Sequence, residues 1–365
     1  MAAVLTRRSV LSALGVGLGV VLVGCDSDPD PTVTTATPGP KPPGEPADPT
    51  AAGPADTPDT AALLLALDRA RHLATRCRAI TGAEGWRLQT QEQVQVALDE
   101  QARVLEEVLR AGAVAVPEPT SPPAGSGDTA GSTDAGTATG SPDTSTGTGD
   151  VSPTGGDAAQ DTAAVAAERA ATELLGLGED CLQDVSPTAL TALTEVSAAN
   201  LPMLLSVAGQ RGAAAQLLGQ EPQWEVLEGP TGAPAAELLD AFRPAVYGFE
   251  VLAARARGEE RAVYERVLTP LRQATRQITQ LAGESASPAP LGYGLPGGTG
   301  SPDGRARLAG ELLAVLPPTI MLQTTDLAGD RASVAGSVRL LADAVRLARP
   351  WNALTAFPGM QVPGA

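Results

Sequence analysis

The sequence is poor in aromatic residues, and this scarcity limits the kind of core it can build. Phe, Trp and Tyr together make up 2% of the 365 residues, whereas apolar residues as a whole reach 43%. Ala and Leu must therefore carry most of the burial. Small side chains let helix backbones approach closely, whereas sheets draw on β-branched and aromatic residues. The composition predicts an all-α protein.

Basic residues are scarce as well, and Lys41 is the only lysine in the chain. The 25 Lys and Arg residues face 42 Asp and Glu residues, which gives a formal net charge of −17. Proteins that bind nucleic acid neutralise its phosphates with Lys and Arg. The charge balance therefore argues against a nucleic-acid partner, and equally against binding to an anionic membrane through a basic patch.

Histidine occurs once, at His72, and this restricts the chemistry that the chain can support. Di-metal sites in helical bundles take a Glu-x-x-His motif from each of two helices. Arg69, not Glu, stands three residues before His72. A nucleophile triad also needs a base beside its Ser or Cys, and neither stands in a sharp turn near His72. The sequence predicts no metal site, no cofactor and no enzymatic activity.

The N-terminus has the features of an export signal. Arg7 and Arg8 precede an apolar run at residues 10–23, which is shorter than the ~20 residues that span a bilayer. The residues around this pair resemble a twin-arginine signal, and Leu22-Val23-Gly24-Cys25 resembles the lipobox of bacterial lipoproteins. By that resemblance Cys25 carries a diacylglyceryl group. Its two acyl chains would hold the protein stably on the extracytoplasmic face of the cell membrane.

Two segments are rich in Pro, Gly, Ser, Thr and Asp and hold few large apolar residues. Residues 26–60 follow the predicted signal peptide of residues 1–25, and residues 117–160 interrupt the part of the chain with helical periodicity. Segments of this composition cannot bury enough apolar surface to fold. We predict a long disordered tether at 26–60 and a disordered insert at 117–160.

Elsewhere apolar residues recur at three- and four-residue steps, the spacing of amphipathic helices. This spacing predicts helices over residues 61–81, 89–111, 161–182, 187–209, 235–257, 259–282, 303–327 and 330–349. Pro202 is expected to kink the fourth helix, and Pro317-Pro318 to break or bend the seventh. We predict two antiparallel helical bundles: an N-terminal one at 61–222, built from two hairpins, and a four-helix bundle at 235–351.

Three stretches of the C-terminal part resemble a known family. They are Ala245-Val246-Tyr247-Gly248-Phe249, Tyr293-Gly294-Leu295-Pro296, and the last helix as far as Trp351. All three resemble the ferritin-like domain of unknown function found in exported bacterial lipoproteins with twin-arginine signals. The resemblance is strongest over 235–351 and looser upstream. It implies a ferritin-like bundle outside the membrane, and it implies no particular activity.

The same family often places a Glu-His pair just before the first of these stretches. Here Phe242, Arg243 and Pro244 occupy those places, which argues against a di-metal site. The remaining candidate ligands are Glu168, which borders the apolar stripe of its helix, and the pair Tyr247 and Glu250. The last two lie one turn apart and are expected to hydrogen-bond each other at the edge of the core.

Cys77 and Cys181 both fall in predicted helices. In an oxidising compartment they can pair as a disulfide, and the other interpretation is two small buried thiols. The sequence leaves both open. The spacing of the two cysteines, with no further Cys nearby, excludes a metal-thiolate cluster.

Together these features predict a membrane-anchored lipoprotein of the cell envelope with no catalytic activity. It would act as a scaffold or through contacts with an envelope protein partner. The alternative is a ferritin-like binding module, which holds either a metal through carboxylates alone or a small apolar ligand.

Overall fold

A computed structural model of the protein describes residues 57–118, 157–295, 297–324 and 327–361. Its helices are α1 (Pro58–Ala79), α2 (Gly85–Ala111), α3 (Asp157–Gln183), α4 (Pro187–Leu193), α5 (Leu201–Leu217), α6 (Ala233–Arg255), α7 (Gly258–Ala282), α8 (Pro302–Ala314), α9 (Leu316–Leu322) and α10 (Arg331–Ala348), with a 3₁₀ turn at Gly283–Ser285. The all-α class is thereby confirmed. The signal peptide, most of the tether and residues 119–156 of the predicted insert lie outside the described residues. Both disordered segments were predicted too long at their C-terminal ends, because residues 58–60 belong to α1 and residues 157–160 to α3.

Several helices begin at a polar residue followed by proline. The side chains of Thr57, Ser186 and Ser301 each accept a hydrogen bond from a backbone N–H in the first turn that follows, and a proline comes directly after each. The oxygen satisfies one of the N–H groups that have no partner inside the helix, and proline suits the first helical position because it has no N–H to satisfy. Local sequence therefore sets where α1, α4 and α8 start.

Two of the predicted helices each correspond to two separate helices in the structure. The predicted helix over 187–209 ends at Leu193, and α5 starts at Leu201 with Pro202 in its first turn. Pro202 therefore starts a helix and does not kink one. The predicted helix over 303–327 changes course at Val315, and Pro317 and Pro318 fall in the first turn of α9. In both places proline lies where its missing N–H is harmless.

Neighbouring helices in the chain pack as pairs, and one pair joins distant parts of the sequence. α1 packs along α2 and α6 along α7, while α5 packs along α10 and also contacts α3. The described helices all lie within one compact unit, Ala52–Ala365. The helices assigned to an N-terminal and a C-terminal bundle therefore share one core through α5 and α10. The boundary drawn between 222 and 235 coincides with residues 223–232, which contain no helix, and with the first two residues of α6.

The contact between α5 and α10 depends on the absence of a side chain at Gly209. A Cβ atom at this position would lie 2.6 Å from Cδ2 of Leu341 on α10 and 3.0 Å from its Cβ. Both helices present mostly buried residues to the core. The close approach is what a composition rich in Ala and Gly allows, because dispersion contacts weaken quickly with distance.

An aromatic cluster fills the interior between α6, α7 and the end of α10. Tyr264 stacks on Trp351 with ring centroids 5.7 Å apart and planes 7° from parallel, and Phe249 meets both rings edge-on. Phe249 and Tyr264 are almost completely buried. Beside the cluster, Arg305 of α8 binds Glu260 of α7 at 2.7 Å.

Hydrogen bonds hold the segment after α10 against helices of the N-terminal half. Ser206 of α5 donates to the carbonyl oxygen of Pro358 at 2.9 Å, and Gln101 of α2 donates to that of Ala356 at 2.9 Å. Phe357 between them is 5% exposed. Within the described ranges no helix combines the length and the apolar character needed to cross a membrane.

Candidate functional site

An apolar cleft opens between α1, α4 and α5, and we refer to it as the α1–α4–α5 cleft. Its volume is about 300 Å³. The walls consist mainly of small or branched apolar side chains: Ala61, Ala62, Leu65 and Ala66 from α1, Ala189, Ala192 and Leu193 from α4, and Leu204, Val207 and Ala208 from α5. Because most of these side chains are methyl groups, the three helices leave space between them that longer side chains would fill.

The entrance of the cleft is framed by the first turn of α1 and the loop between α4 and α5. The carboxylate of Asp59 accepts hydrogen bonds from the Ser197 N–H at 2.7 Å and from the Asn200 amide at 2.7 Å, and also from the Ser197 hydroxyl. Burial alone raises the pKa of Asp59, but these hydrogen bonds outweigh it and hold the pKa below its usual value. The ionised carboxylate therefore links α1 to the loop.

Arg211 forms the polar part of the cleft floor. This side chain of α5 is only 2% exposed. Its Nε–H donates to Oε1 of Gln101 at 3.3 Å, and an Nη2–H donates to the carbonyl oxygen of Ala66 at 2.7 Å. Its Nη1 lies 3.1 Å from Oδ2 of Asp184. A buried guanidinium needs such partners, because an unpaired charge away from water is costly.

Asp184 belongs to a longer chain of ion pairs and hydrogen bonds that runs from the cleft towards the outside of α1 and α3. Its other oxygen lies 3.2 Å from Nε of Arg69, and Arg69 also donates to the carbonyl oxygen of Asp180 at 2.5 Å. The carboxylate of Asp180 pairs with Arg76. We call these five residues the Arg211 cluster. It contains three guanidinium groups and two carboxylates.

Two buried glutamines lie behind Arg211. The Gln101 amide donates to Oε1 of Gln210 at 2.9 Å as well as to the C-terminal segment, and both glutamines are 0% exposed. The amide nitrogen of Gln210 has no hydrogen-bond partner among the described residues. Because Gln101 accepts from Arg211, the floor of the cleft is coupled to the C-terminal segment through one amide.

Cys77 and Cys181 are free thiols in the structure, and both are completely buried. The Cys77 thiol donates to the carbonyl oxygen of Gln91 at 3.6 Å. Burial raises the pKa of each thiol to about 12. Since the thiolate is the reactive form, neither thiol is suited to act as a nucleophile. The disulfide between them is not formed here, and their pairing in an oxidising compartment stays a prediction.

Glu168, Tyr247 and Glu250 do not come together into a site. Glu168 is exposed on α3. Glu250 binds Arg272 of α7 at 2.6 Å, and the ring of Tyr247 packs against Tyr293 with centroids 5.7 Å apart. The expected hydrogen bond between Tyr247 and Glu250 was therefore wrong. An Arg one helix away competes better for an exposed carboxylate than a neutral phenol, because its hydrogen bond is charge-assisted.

The predictions about a metal site and about a lipid anchor concern His72 and the N-terminal residues. His72 is exposed on α1. No group of three or more His, Cys, Asp or Glu side chains within the described part of the chain is arranged to hold a metal ion. Arg7, Arg8 and Cys25 lie outside the described residues, so the export signal and the lipid anchor stay predictions.

Sequence reasoning missed the residues that line the cleft, Arg211 above all. The signal was present in the composition of α5, where the run Leu204–Ala215 is buried on every side and nevertheless contains Gln210 and Arg211. A helix that is apolar all round belongs in a core, so a charged residue within it indicates a buried partner. The identity of that partner, Asp184 at the end of α3, could not be read from spacing.

Comparison with known proteins adds no relative. No protein-family model, no curated protein and no solved structure matches this chain.

Proposed function

We propose that this protein is a non-catalytic binding protein of the cell envelope, which takes up a small apolar ligand in the α1–α4–α5 cleft. The cleft itself carries the proposal. Its volume of about 300 Å³ lies at the lower end of the range for small-molecule sites, and such sites combine apolar walls with a few polar groups. Arg211 supplies the polar group here.

The packing of the rest of the molecule supports this location. Between α6, α7 and α10 the interior is occupied by Phe249, Tyr264 and Trp351 in direct ring contact. The ferritin-like resemblance would place a ligand inside the C-terminal bundle. The clustered rings instead favour the α1–α4–α5 cleft as the site.

Binding of the neutral apolar dye Nile red tests the proposal. Nile red should bind the full chain with increased fluorescence, and Ala192→Phe should abolish this by filling the cleft from its exposed wall. Thr188→Phe is the matched control, because Thr188 is also exposed on α4 but does not line the cleft. Equal binding by both variants and the wild type would exclude the cleft as the site.

The proposed location rests on the N-terminal sequence. The twin-arginine pair Arg7 and Arg8 and the lipobox ending at Cys25 support export followed by lipid anchoring on the outer face of the cell membrane. In a bacterial host with both pathways, Cys25→Ser should move the protein from the membrane fraction to the soluble extracytoplasmic fraction. If the variant stays in the membrane fraction, a lipid on Cys25 is not what anchors it.

A role as a scaffold is the second proposal, and one exposed surface favours it. Three exposed apolar side chains follow each other at three- and four-residue steps: Val315 directly before α9, and Pro318 and Leu322 within it. Leu322 is 74% exposed. An apolar stripe of this kind is suited to a partner protein. In a pull-down from envelope extract, Leu322→Asp should lose a partner that Leu291→Asp, at another exposed apolar position, retains. Identical recovery by both variants would contradict this role for α9.

A further inference from the structure

The Arg211 cluster carries one more positive charge than negative. Arg69 and Arg211 share the carboxylate of Asp184, and Arg76 pairs with the carboxylate of Asp180, whose carbonyl oxygen accepts from Arg69, so that two carboxylates serve three guanidinium groups. The terminal member, Arg211, is also the most deeply buried, at 2% exposure, and it lines the cleft. Burying a charge without full compensation is unfavourable. An additional anion beside Arg211 would neutralise the remaining positive charge of the cluster.

Arg211 also has donors to spare. A guanidinium has five N–H groups in a fixed planar arrangement, and those of Arg211 contact three acceptors, on Gln101, Ala66 and Asp184. The planar group is well matched to an oxyanion, which can accept two parallel hydrogen bonds from it. A ligand oxygen in the cleft would therefore find N–H groups as well as a favourable charge.

Two other charged side chains line the cleft, Asp184 and Glu195. The carboxylate of Asp184 is shared between Arg211 and Arg69, whereas Glu195 is exposed in the loop after α4. Its repulsion of an anion at the floor is weakened by water, because interactions between exposed charges are strongly screened. Asp59 at the entrance is already engaged by Ser197 and Asn200. Because Asp184 lies between two guanidinium groups, the floor keeps a net positive charge, while apolar walls surround the rest of the ligand.

We infer that the ligand of the α1–α4–α5 cleft is a single-chain amphiphile with an anionic oxygen head group, whose head binds Arg211 and whose chain lies along the apolar walls. This inference rests on the proposed ligand-binding function and specifies its ligand class. A carboxylate and a sulfate head share the chemistry that Arg211 recognises, so both belong to this class.

The inference is tested with four probes that share a twelve-carbon chain: dodecanoate, dodecyl sulfate, dodecan-1-ol and dodecyltrimethylammonium. Each is titrated below its micelle concentration by displacement of Nile red from the full chain. At least one anionic probe should bind about ten-fold or more tightly than the alcohol, as expected for a hydrogen bond to a charged group, and the cation should bind weakest. Equal affinities for the anions and the alcohol would overturn the inference and leave the proposed apolar site intact. Failure of Nile red itself to bind would instead refute the site.

Two variants separate the role of the charge from that of the cleft. Arg211→Gln should remove the preference for anions while Nile red still binds. If that variant does not fold, Arg69→Gln serves instead, because it lowers the charge of the cluster without lining the cleft, and it should weaken anion binding several-fold. Arg169→Gln, on an exposed Arg of α3, is the matched control and should change nothing. An unchanged preference in Arg69→Gln would also overturn the inference.

Discussion

Arg211 is tolerated in the core because every side of its guanidinium meets an acceptor or the cleft. Asp184, Gln101 and the Ala66 carbonyl belong to three different parts of the chain, and they converge only when α1, α2 and α3 pack around α5. A buried ion pair of this kind adds little net stability, but removing one partner is strongly destabilising. The arrangement therefore fixes which helices lie together more than it strengthens their contact.

The two buried cysteines allow a prediction about thiol reactivity. Because burial raises both pKa values to about 12, Cys77 and Cys181 should not react with Ellman's reagent at pH 8 in the folded Cys25→Ser protein. After denaturation without reductant, two reactive thiols per chain are expected if the cysteines are free, as in the structure. No reactive thiol would show that they pair as a disulfide after export.

Asp59 allows a prediction about pH. Its folded-state pKa lies below its usual value, so its contribution to stability is full above the unfolded pKa of about 3.9 and declines as the pH falls through the folded pKa. Asp59→Ala should lower the free energy of unfolding by about 1–2 kcal/mol at pH 7. The difference from the wild type should shrink below pH 3.

Urea denaturation at pH 7 and at pH 2.5 measures this effect. Asp68→Ala is the control, because Asp68 is exposed on the same helix and should cost little at either pH. A loss of stability in Asp59→Ala that is the same at both pH values would mean that packing, and not the ionised carboxylate, holds the loop.

At the scale of secondary-structure elements, the sequence predicts the positions of the helices well. Each predicted helix has an observed counterpart, because apolar periodicity and capping residues are local signals. Helix breaks are harder to predict: Pro202 looks like a kink in a long helix, and only the loop at 194–200, tied to Asp59, shows that a helix begins there. The pairing of α5 with α10 was also missed. The two helices are far apart in the sequence, and the fit between their surfaces exists only in the folded chain.

The contact between α5 and α10 yields a prediction with an internal control. Alanine favours a helix over glycine by about 1 kcal/mol, so Gly→Ala in a helix should stabilise unless the methyl group collides. At Gly209 it would meet Leu341 at 2.6 Å, whereas at Gly176 of α3 the only near atom is the flexible end of Arg76 at 3.3 Å. Gly209→Ala should therefore cost about 1–3 kcal/mol, and Gly176→Ala should be neutral or stabilising.

Thermal denaturation of the two variants checks this. A lower melting temperature for Gly209→Ala only is the expected result. Similar shifts for both variants would mean that α5 and α10 can move apart at little cost.

At the scale of the whole molecule, we expect the segment after α10 to contribute to the free energy of unfolding although it contains no helix. Ending the chain after residue 352 would leave the Gln101 amide and the Ser206 hydroxyl without the acceptors on Ala356 and Pro358. Each buried group left without its partner costs about 1–3 kcal/mol, so urea unfolding should show a loss of at least about 2 kcal/mol. A chain that ends after residue 361 is the control and should match the full chain. If the shorter truncation is as stable as the control, the segment is not part of the core.

The candidate site was less predictable than the fold for a physical reason. Its walls are alanine, leucine and valine side chains, which carry no chemical signature. Its positive charge comes from the excess of guanidinium groups over carboxylates in the Arg211 cluster, which exists only in the folded chain. The candidates that sequence reasoning did name, Tyr247 and Glu250, belong to the recognisable stretch of α6 and end in separate contacts with Tyr293 and Arg272.

The three tryptophans occupy three different environments, so their intrinsic fluorescence can report on three separate parts of the protein. Trp86 is 61% exposed at the start of α2, Trp224 is half-buried beside Gly212 of α5, and Trp351 is stacked on Tyr264. Their emission maxima should therefore differ, with Trp86 the most red-shifted. Variants that keep a single tryptophan would show separately whether the α1–α2 end, the α5–α10 contact or the aromatic cluster loosens first during unfolding.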